Sequence, residues 1–462
     1  MPKQADFKVA IHLLELTHDQ LQWPTGLDDY AGLRIFVMVE GQVIGHFTIW
    51  NSRRPLPLKH QVYDASYSLW LPVAHAIFGS GSPELLDRMP DPKGLILNTI
   101  GWSQAQLTAL LVEHRQTTLT LPDLSASIIL ATKDRPQDLS RTLHHLRDHK
   151  TQVPHEIIVA DNNPASGLTA PVVSQFPGVV YVSERRPGSS YARNAGALAA
   201  RGDIVVLTDD DVLVGENWLD QMIAPFAGPE VGAVMGLVLP YEFSTPSQYF
   251  FEESGGLGLG YKPARFGREF FSTETFPSVA RLGNGSSAAF RATTYADPNI
   301  GPLEDALASG TYARGGGDVY QFYRVLAGGM VTVYNPKAYV FHKHRTTMAQ
   351  LRQQLVNFNC GYAATLTCII TRDQDRRAIK VLCQNLPWYQ LQRLLSSLTG
   401  SLPVPAHLIL LRLWGNLIGP FNLWRALRQC RKLGTYSAAQ FAERFAKREP
   451  LTAQAVVEKV TV

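Results

Sequence analysis

Residues 204–211 read IVVLTDDD, a short apolar run that ends in three consecutive aspartates. Such a run is typical of a buried strand, so Asp209, Asp210 and Asp211 are expected to enter the loop that follows it. Carboxylates about 5 Å apart repel by roughly 3 kcal/mol at an effective dielectric constant near 20, which a cation or open water must offset. Mg²⁺ and Mn²⁺ prefer oxygen ligands, so the triplet predicts a metal site, with a solvated acidic turn as the alternative.

Short apolar runs alternate with amphipathic helices on both sides of this stretch. The predicted helices lie near 138–148 and 192–200. This alternation predicts an α/β layer fold with a mainly parallel sheet, whose ligand site lies at the carboxyl ends of the strands. The predicted strands are 126–130, 156–160, 179–182, 204–207 and 231–235.

Polar residues follow the first two strands. The first strand leads to Asp134 and the second to Asp161, and no Gly-x-Gly-x-x-Gly turn for a dinucleotide is present. The two aspartates are candidates to accept hydrogen bonds from a nucleoside, and turn or helix-cap roles are the alternative. A glycine-containing loop at 185–191 opens the helix that carries Arg193, where free amides and a guanidinium suit phosphate.

The second half of this region adds three polar segments. Residues 283–291 read GNGSSAAFR, which is typical of a bulged or tightly packed strand. Residues 315–318 read GGGD and place Asp318 at the start of a predicted helix, where a helix cap is the simplest role. Residues 340–345 read VFHKHR, and an imidazole there could complete a metal site built on aspartates.

Four of these segments closely resemble the nucleotide-binding half of the inverting family 2 glycosyltransferases of GT-A fold. The segments are 128–136, 157–163, 188–196 and 207–212, and the resemblance covers residues 123–345. It implies a nucleoside diphosphate sugar donor, a hydroxyl acceptor and Mg²⁺ or Mn²⁺. It also implies metal ligation by Asp209, Asp211 and His342, with His344 as the second choice, and donor contacts from Thr132, Asp134, Arg135, Asp161, Arg193, Asp210, Asn284 and Gly285.

The resemblance also assigns a catalytic role to Asp318. In this family the aspartate after the glycines removes the proton from the acceptor hydroxyl, and a single displacement inverts the anomeric carbon. The sequence departs from the family at one position, because Gly317 stands where a glutamate is common. This departure leaves a catalytically inactive nucleotide-sugar-binding relative as one alternative. A metal-dependent phosphohydrolase is another, although its Asp-x-Asp motif would follow the first strand.

Two flanking regions carry no recognisable chemistry. Residues 1–122 predict a small α+β accessory domain with a hairpin at 33–39 and 43–49 and helices near 66–78 and 103–115. Residues 346–462 predict a helical, basic region that carries Trp388, Trp414 and Trp424. Apolar faces edged with arginine suit helices that lie at a membrane surface, where they would serve a lipid-linked or glycan acceptor. The alternative is a helical cap packed on the catalytic domain.

Composition limits the remaining function classes. The 462 residues are 45% apolar and 18% charged, which is ordinary for a globular protein. The net charge of +4 is too small to suggest nucleic-acid binding. The chain shows no signal-peptide pattern, and its four cysteines lack metal-site spacing. We therefore expect reduced thiols at Cys360, Cys368, Cys383 and Cys430, and a cytoplasmic protein, either free or peripheral on a membrane.

Overall fold

The computed structural model describes residues 8–15, 32–39, 41–50, 119–272, 282–402, 404–449 and 451. The helices predicted near 66–78 and 103–115 lie outside these residues. The described chain forms a small sheet, a larger sheet with flanking helices, and a set of C-terminal helices.

The small sheet contains β1 (Val9–Glu15), β2 (Gly32–Val39) and β3 (Gln42–Trp50), with β2 in the middle. Strands β2 and β3 pair antiparallel, so the predicted hairpin is present. The Val9 amide donates a 2.7 Å hydrogen bond to the Phe243 carbonyl, and Phe36 belongs to the same buried cluster as strands of the larger sheet. The two sheets therefore share one hydrophobic core.

The larger sheet is mixed. Its order is β10-β12-β9-β11-β7-β4-β5-β6, and β8 pairs with the end of β12. The predicted α/β fold class is confirmed. The sheet is less parallel than predicted because β11 inserts antiparallel between β7 and β9. The strands are β4 (Ala126–Thr132), β5 (His155–Asp161), β6 (Val180–Ser183), β7 (Ile204–Asp209), β8 (Val212–Val214), β9 (Val231–Pro240), β10 (Ala264–Phe266), β11 (Ser287–Arg291) and β12 (Val331–His342).

Strand register brings the polar segments to one edge of this sheet. Strands β5 and β7 flank β4 in parallel, with Thr132 opposite Asp161 and Ala131 opposite Asp209. Ser287 starts β11 opposite Thr208, so the glycine-rich segment before it lies at the same edge. The antiparallel pairing of β12 with β8 brings the end of β12 to this edge as well.

Helices cover both faces of the larger sheet and continue beyond it. Short 3₁₀ segments lie at 164–166 and 224–227, and a π-helical turn lies at 381–385. The helices are α1 (Pro136–Asp148), α2 (Ala170–Val173), α3 (Ser189–Ala199), α4 (Trp218–Ile223), α5 (Pro246–Glu253), α6 (Arg268–Ser272), α7 (Ala292–Ala296), α8 (Gly317–Ala327), α9 (Met348–Arg372), α10 (Arg377–Lys380), α11 (Leu386–Leu398), α12 (Ala406–Leu433) and α13 (Ala438–Ala446).

Within the C-terminal region, helices α9 and α12 pack closely on each other. A Cβ atom at Gly419 would lie 2.6 Å from the Cβ of Ala363, and one at Gly415 would lie 2.6 Å from the Val356 carbonyl oxygen. The two glycines therefore let the helix backbones approach each other. Among the helices that the structure describes, none is long and apolar enough to cross a membrane.

Candidate active site

A cleft of about 1180 Å³ opens at the carboxyl edge of the larger sheet. One wall carries the aspartate triplet and the segments 283–286 and 315–318, and the opposite wall comes from the C-terminal helices, with Phe358 and Tyr389 among its residues. The cleft therefore joins the strand ends to the helical region.

Asp209, Asp211 and His342 form a cluster in this cleft. One ligand atom from each lies within 4.8 Å of the others, and His342 Nε2 is 3.3 Å from Asp211 Oδ1 and 3.8 Å from Asp209 Oδ2. Burial lowers the pKa of His342 below its ordinary value, although both aspartates oppose this effect. This effect favours the neutral imidazole, which is the form that binds metals. Two carboxylates and one imidazole suit Mg²⁺ or Mn²⁺, so these residues can hold a divalent ion.

His344, the second metal candidate, lies outside this cluster. Its Nε2 is 2.7 Å from Glu252 Oε1, and its ring packs edge-on against Phe251. The alternating side chains of an extended segment place His342 and His344 near each other, but the Glu252 contact turns the second ring away from the aspartates.

Asp210 is buried and faces two other residues of the predicted donor set. The Thr132 hydroxyl and Arg135 NH1 each donate a 2.7 Å hydrogen bond to its carboxylate, and Arg135 also lies 2.8 Å from Asp211. Burial raises the pKa of Asp210 to about 7, against the opposing charge of Arg135. All four residues line the cleft, and the middle aspartate therefore stabilises the loop that presents its neighbours.

Asp209 is held by Arg193 on one side and by Ser286 on the other. Arg193 lies 2.7 Å from Asp209 Oδ1, and the Ser286 hydroxyl donates a 2.6 Å hydrogen bond to Oδ2. Burial acts to raise the pKa of Asp209, but the charge of Arg193 and the hydrogen bonds from Ser286 and Arg193 outweigh it, so this pKa lies below its ordinary value. A Cβ atom at Gly285 would overlap the guanidinium of Arg193. The sequence analysis did not predict Ser286 as a site residue, although it identified the segment 283–291 that contains it.

Asp318 lies in the first turn of α8 and faces the same cleft. The Gly285 amide donates a 2.6 Å hydrogen bond to Oδ2, and the Val319 amide donates a 2.9 Å hydrogen bond to Oδ1. The helix begins after Gly316, and its side-chain cap is absent. Asp318 therefore links α8 to the glycine-rich segment. Asn284, which precedes Gly285 in that segment, also lines the cleft.

Asp134 and Asp161 lie near this site but are not among the residues that line the cleft. Asp134 is exposed with a left-handed φ of 56°, and the Asn163 amide donates to both of its oxygens at 3.0 and 2.9 Å. Asp161 is buried, where the Asn163 backbone amide and the Tyr181 hydroxyl donate to its carboxylate. Asn162, which the sequence analysis did not single out, is the cleft-lining residue of this loop.

Gly317 is buried where a side chain does not fit. A Cβ atom there would lie 2.5 Å from the Leu307 carbonyl oxygen and 2.6 Å from the Ser190 hydroxyl. Since the backbone around Leu307 packs on the start of α3 through the Ser190 hydrogen bond, it cannot retreat cheaply. Packing therefore explains the glycine at the position where the resembling family commonly has glutamate.

We expect the substitution Gly317→Glu to destabilise the protein by about 1–3 kcal/mol, because overpacking a closed site forces backbone shifts. The measurement is the free energy of unfolding in urea. The control is Gly267→Glu, where a Cβ atom would meet only one side chain at an ordinary 3.5 Å. Equal stability of the two variants would show that α8 can move to accept a side chain.

The structure contains three features that the sequence analysis expected of a domain of GT-A fold. They are the α/β sheet, the carboxylate and imidazole cluster at its edge, and the aspartate at the start of α8. Residues 127–282 match the family model Glycosyl transferase family 2. This part of the chain therefore matches the family 2 glycosyltransferases.

Similar proteins include a pre-mycofactocin glycosyltransferase from Mycobacterium tuberculosis, which is 24% identical over 322 residues. That match covers 66% of this chain and 62% of the relative, so less than two thirds of the relative is spanned. A hyaluronan synthase from Pasteurella multocida is 35% identical over 103 residues, or 21% of this chain and 10% of the relative. Among solved structures, a Pyrobaculum calidifontis mannosyltransferase in complex with GDP-Man and Mn²⁺ is 16% identical, with a TM-score of 0.40 over 77% of this chain and 90% of that chain.

Proposed function

We propose that this protein transfers a sugar from a nucleoside diphosphate sugar to an acceptor hydroxyl, with inversion at the anomeric carbon. The observation that carries this proposal is that one cleft of a family 2 domain contains both the Asp209, Asp211 and His342 cluster and Asp318. The cluster would hold Mg²⁺ or Mn²⁺, and that ion would offset the charge that develops on the leaving diphosphate. The predicted donor residues that line the cleft lie around this cluster.

Asp318 would remove the proton from the acceptor hydroxyl. Its two oxygens accept hydrogen bonds from the amides of Gly285 and Val319, which fix its orientation. Each carboxylate oxygen has a second lone pair, so the side chain can still accept a proton. The Gly285 carbonyl also accepts a hydrogen bond from Arg193, which binds Asp209. Gly285 therefore connects Asp318 to the cluster that contains Asp209.

The donor can be identified by thermal unfolding with a panel of UDP-, GDP- and TDP-sugars, with Mn²⁺ or with a chelator. A ligand at 100 times its dissociation constant stabilises the folded state by about 2.7 kcal/mol, and we expect such a shift only when metal and the correct donor are both present. Release of inorganic phosphate without sugar transfer would instead favour a phosphohydrolase.

The outer surface of the C-terminal helices supports the proposal that the acceptor lies close to a membrane. The outer face of α12 carries five large apolar side chains that are 51% to 67% exposed, spaced three or four residues apart. Helix α11 presents a similar exposed row, and the basic residues of α12 match an anionic surface. Exposed apolar faces edged with arginine suit an interfacial helix. The residues are Leu410, Trp414, Leu417, Phe421 and Trp424 on α12, Trp388, Leu391, Leu395 and Leu398 on α11, and the basic Arg425, Arg428, Arg431 and Lys432.

We expect Leu417→Ser with Phe421→Ser to weaken binding to anionic lipid vesicles by roughly tenfold or more, since each buried apolar side chain contributes about 1.5–3 kcal/mol. Vesicle flotation of the full chain measures this effect. Leu168→Ser is the control, because Leu168 is an exposed leucine outside the C-terminal helices. If the double variant binds vesicles as the unmodified chain does, these helices do not dock on lipid.

A further inference from the structure

The wall of the cleft that comes from the C-terminal helices is lined by side-chain carboxamides. They include Gln353, Gln354, Asn357 and Asn359 on α9 and Gln390 on α11, whereas no aspartate or glutamate of the described residues beyond 345 lines the cleft. Each carboxamide offers two N–H donors and one acceptor oxygen without a net charge. This wall is therefore chemically different from the opposite wall, which carries the aspartates.

Hydrogen bonds between α9 and α11 fix the orientation of Gln390. Asn359 Nδ2 donates a 2.8 Å hydrogen bond to the Leu355 carbonyl, so Asn359 Oδ1 is left to accept a 3.3 Å hydrogen bond from Gln390 Nε2. Gln390 is only 2% exposed, and its Oε1 makes no hydrogen bond within the described residues. Buried polar atoms rarely lack a partner. Gln390 therefore brings an unpaired acceptor oxygen to the lining of the cleft.

Gln354 supplies a second acceptor oxygen of the same kind. Its Oε1 is buried and makes no hydrogen bond in the part of the chain that the structure describes. Phe358 lies one turn further along α9, on the same helix face, with 44% of its surface exposed. The Phe358 ring packs edge-on against Phe251, with 5.9 Å between the ring centroids. An unpaired oxygen and an open aromatic surface therefore lie side by side in the cleft.

Helix α9 also contacts the loop that leads to Asp318. Arg314 NH1 donates a 3.1 Å hydrogen bond to Asn357 Oδ1, and Arg314 immediately precedes the glycines before Asp318. The Thr365 hydroxyl donates a 3.2 Å hydrogen bond to the Gly316 carbonyl. The carboxamides of α9 therefore lie beside the segment that carries the proposed base.

Charge and hydrogen-bonding capacity select the kind of ligand. The unpaired oxygens of Gln354 and Gln390 need a donor, which a phosphate or carboxylate group does not supply in its ionised form. Arg314 and Arg412 line the same cleft and disfavour a cation such as an amino group. Hydroxyl groups donate without a charge, and the C–H face of a sugar ring can cover the apolar surface of Phe358. An uncharged sugar residue fits both requirements.

We infer that Gln354, Gln390 and Phe358 bind an uncharged sugar residue of the acceptor, whose reacting hydroxyl faces Asp318. The inference rests on the proposed function, because it names a saccharide as the acceptor class of the same cleft. An acceptor that is linked to a lipid would meet this wall through its sugar.

The test is an NMR titration of the full chain, without metal or nucleotide, with methyl β-glucoside, methyl β-galactoside and methyl α-mannoside. We expect at least one of them to bind about tenfold more tightly than its two charged counterparts, the uronide with a carboxylate at C6 and the 2-amino sugar with an ammonium group. Gln354→Leu is expected to weaken binding of that glycoside by roughly tenfold, the size of one lost hydrogen bond.

The matched control is Gln429→Leu on α12. Gln429 also has a buried side-chain oxygen without a hydrogen bond among the described residues, but it does not line the cleft. The inference is overturned if no methyl glycoside binds, if either charged counterpart binds as tightly as the neutral sugar, or if the two leucine variants lose binding equally. Since the Gln354 oxygen has no hydrogen bond to lose, the melting temperature should not fall. If it does, Phe358→Leu at its exposed position gives the same comparison.

Donor stabilisation separates this inference from the transferase proposal. Gln354→Leu should retain metal-dependent donor stabilisation, because Asp209 is held by Arg193 and Ser286 rather than by Gln354. Donor stabilisation without binding of any glycoside would reject the sugar site alone. Glycoside binding that depends on Gln354, without donor stabilisation of the unmodified chain, would reject the transferase proposal and leave the sugar site intact.

Discussion

Asp318→Asn is expected to lower kcat by about 10³-fold while leaving donor binding nearly unchanged, because general-base catalysis typically contributes 10²–10⁴-fold. Asparagine can still accept one of the two backbone hydrogen bonds, from Gly285 or Val319, but it cannot take a proton from the acceptor. The measurement is the rate of sugar transfer, together with the metal-dependent thermal shift caused by the donor.

Asp297→Asn is the control for Asp318. The carboxylate of Asp297 also accepts a backbone hydrogen bond, from the Asn299 amide at 2.7 Å, and Asp297 does not line the cleft. Normal transfer by the Asp318 variant would remove this residue from the mechanism. Loss of both transfer and donor binding would instead indicate that Asp318 mainly supports the Gly285 segment.

Asp211→Asn is expected to weaken metal-dependent donor binding by roughly 100-fold or more, because even residues that only orient metal ligands cost 10–100-fold when replaced. Asp211 is buried and lies 3.3 Å from His342, so its loss removes a ligand that water cannot easily replace. Titration of donor at fixed Mn²⁺, followed by unfolding temperature, measures the change.

The adjacent aspartate supplies the control for this substitution. Burial raises the pKa of Asp210 to about 7, so a neutral side chain is well tolerated there. An asparagine at 210 can accept from Arg135 with its oxygen, and the Thr132 hydroxyl can turn to accept from its amide. We expect Asp210→Asn to retain donor binding within a few-fold, and equal losses in the two variants would mean that the triplet has no single metal ligand.

Local patterns along the chain predicted the fold class and the order of the polar segments. Buried parallel strands require continuous apolar runs, so β4, β5 and β7 were recognisable, and their carboxyl ends were correctly expected at one edge. Strand β11 was recognised only as a glycine-rich segment. Its antiparallel insertion depends on pairing with β7 and β9, which no local pattern encodes.

The pairing of side chains within the site was less predictable. The sequence analysis grouped Thr132, Arg135 and Asp210 as donor contacts, and the structure shows that they also bind one another. Such contacts join residues about 75 positions apart in the chain, so they depend on strand register. The same holds for Ser286 and Asp209, whose hydrogen bond exists because β11 lies beside β7.

Two open questions from the sequence have physical answers in the tertiary structure. Gly317 reflects a closed contact with the Leu307 carbonyl, which explains the departure from the family pattern without invoking lost activity. The C-terminal helices pack on the larger sheet, since Leu366 and Leu423 belong to the same buried cluster as Leu207, and they also keep an exposed apolar face. The helical-cap alternative therefore describes one face of α12, while membrane docking of the other face remains a proposal.

The sequence alone determined that this protein has an α/β domain with carboxylates at its strand ends, because hydrophobic periodicity and loop polarity are local properties of the chain. Only the tertiary structure decided that His342 rather than His344 joins Asp209 and Asp211, since the Glu252 contact of His344 comes from a distant helix. Long-range packing determines which charges lie near one another, and that proximity sets the chemistry of the site.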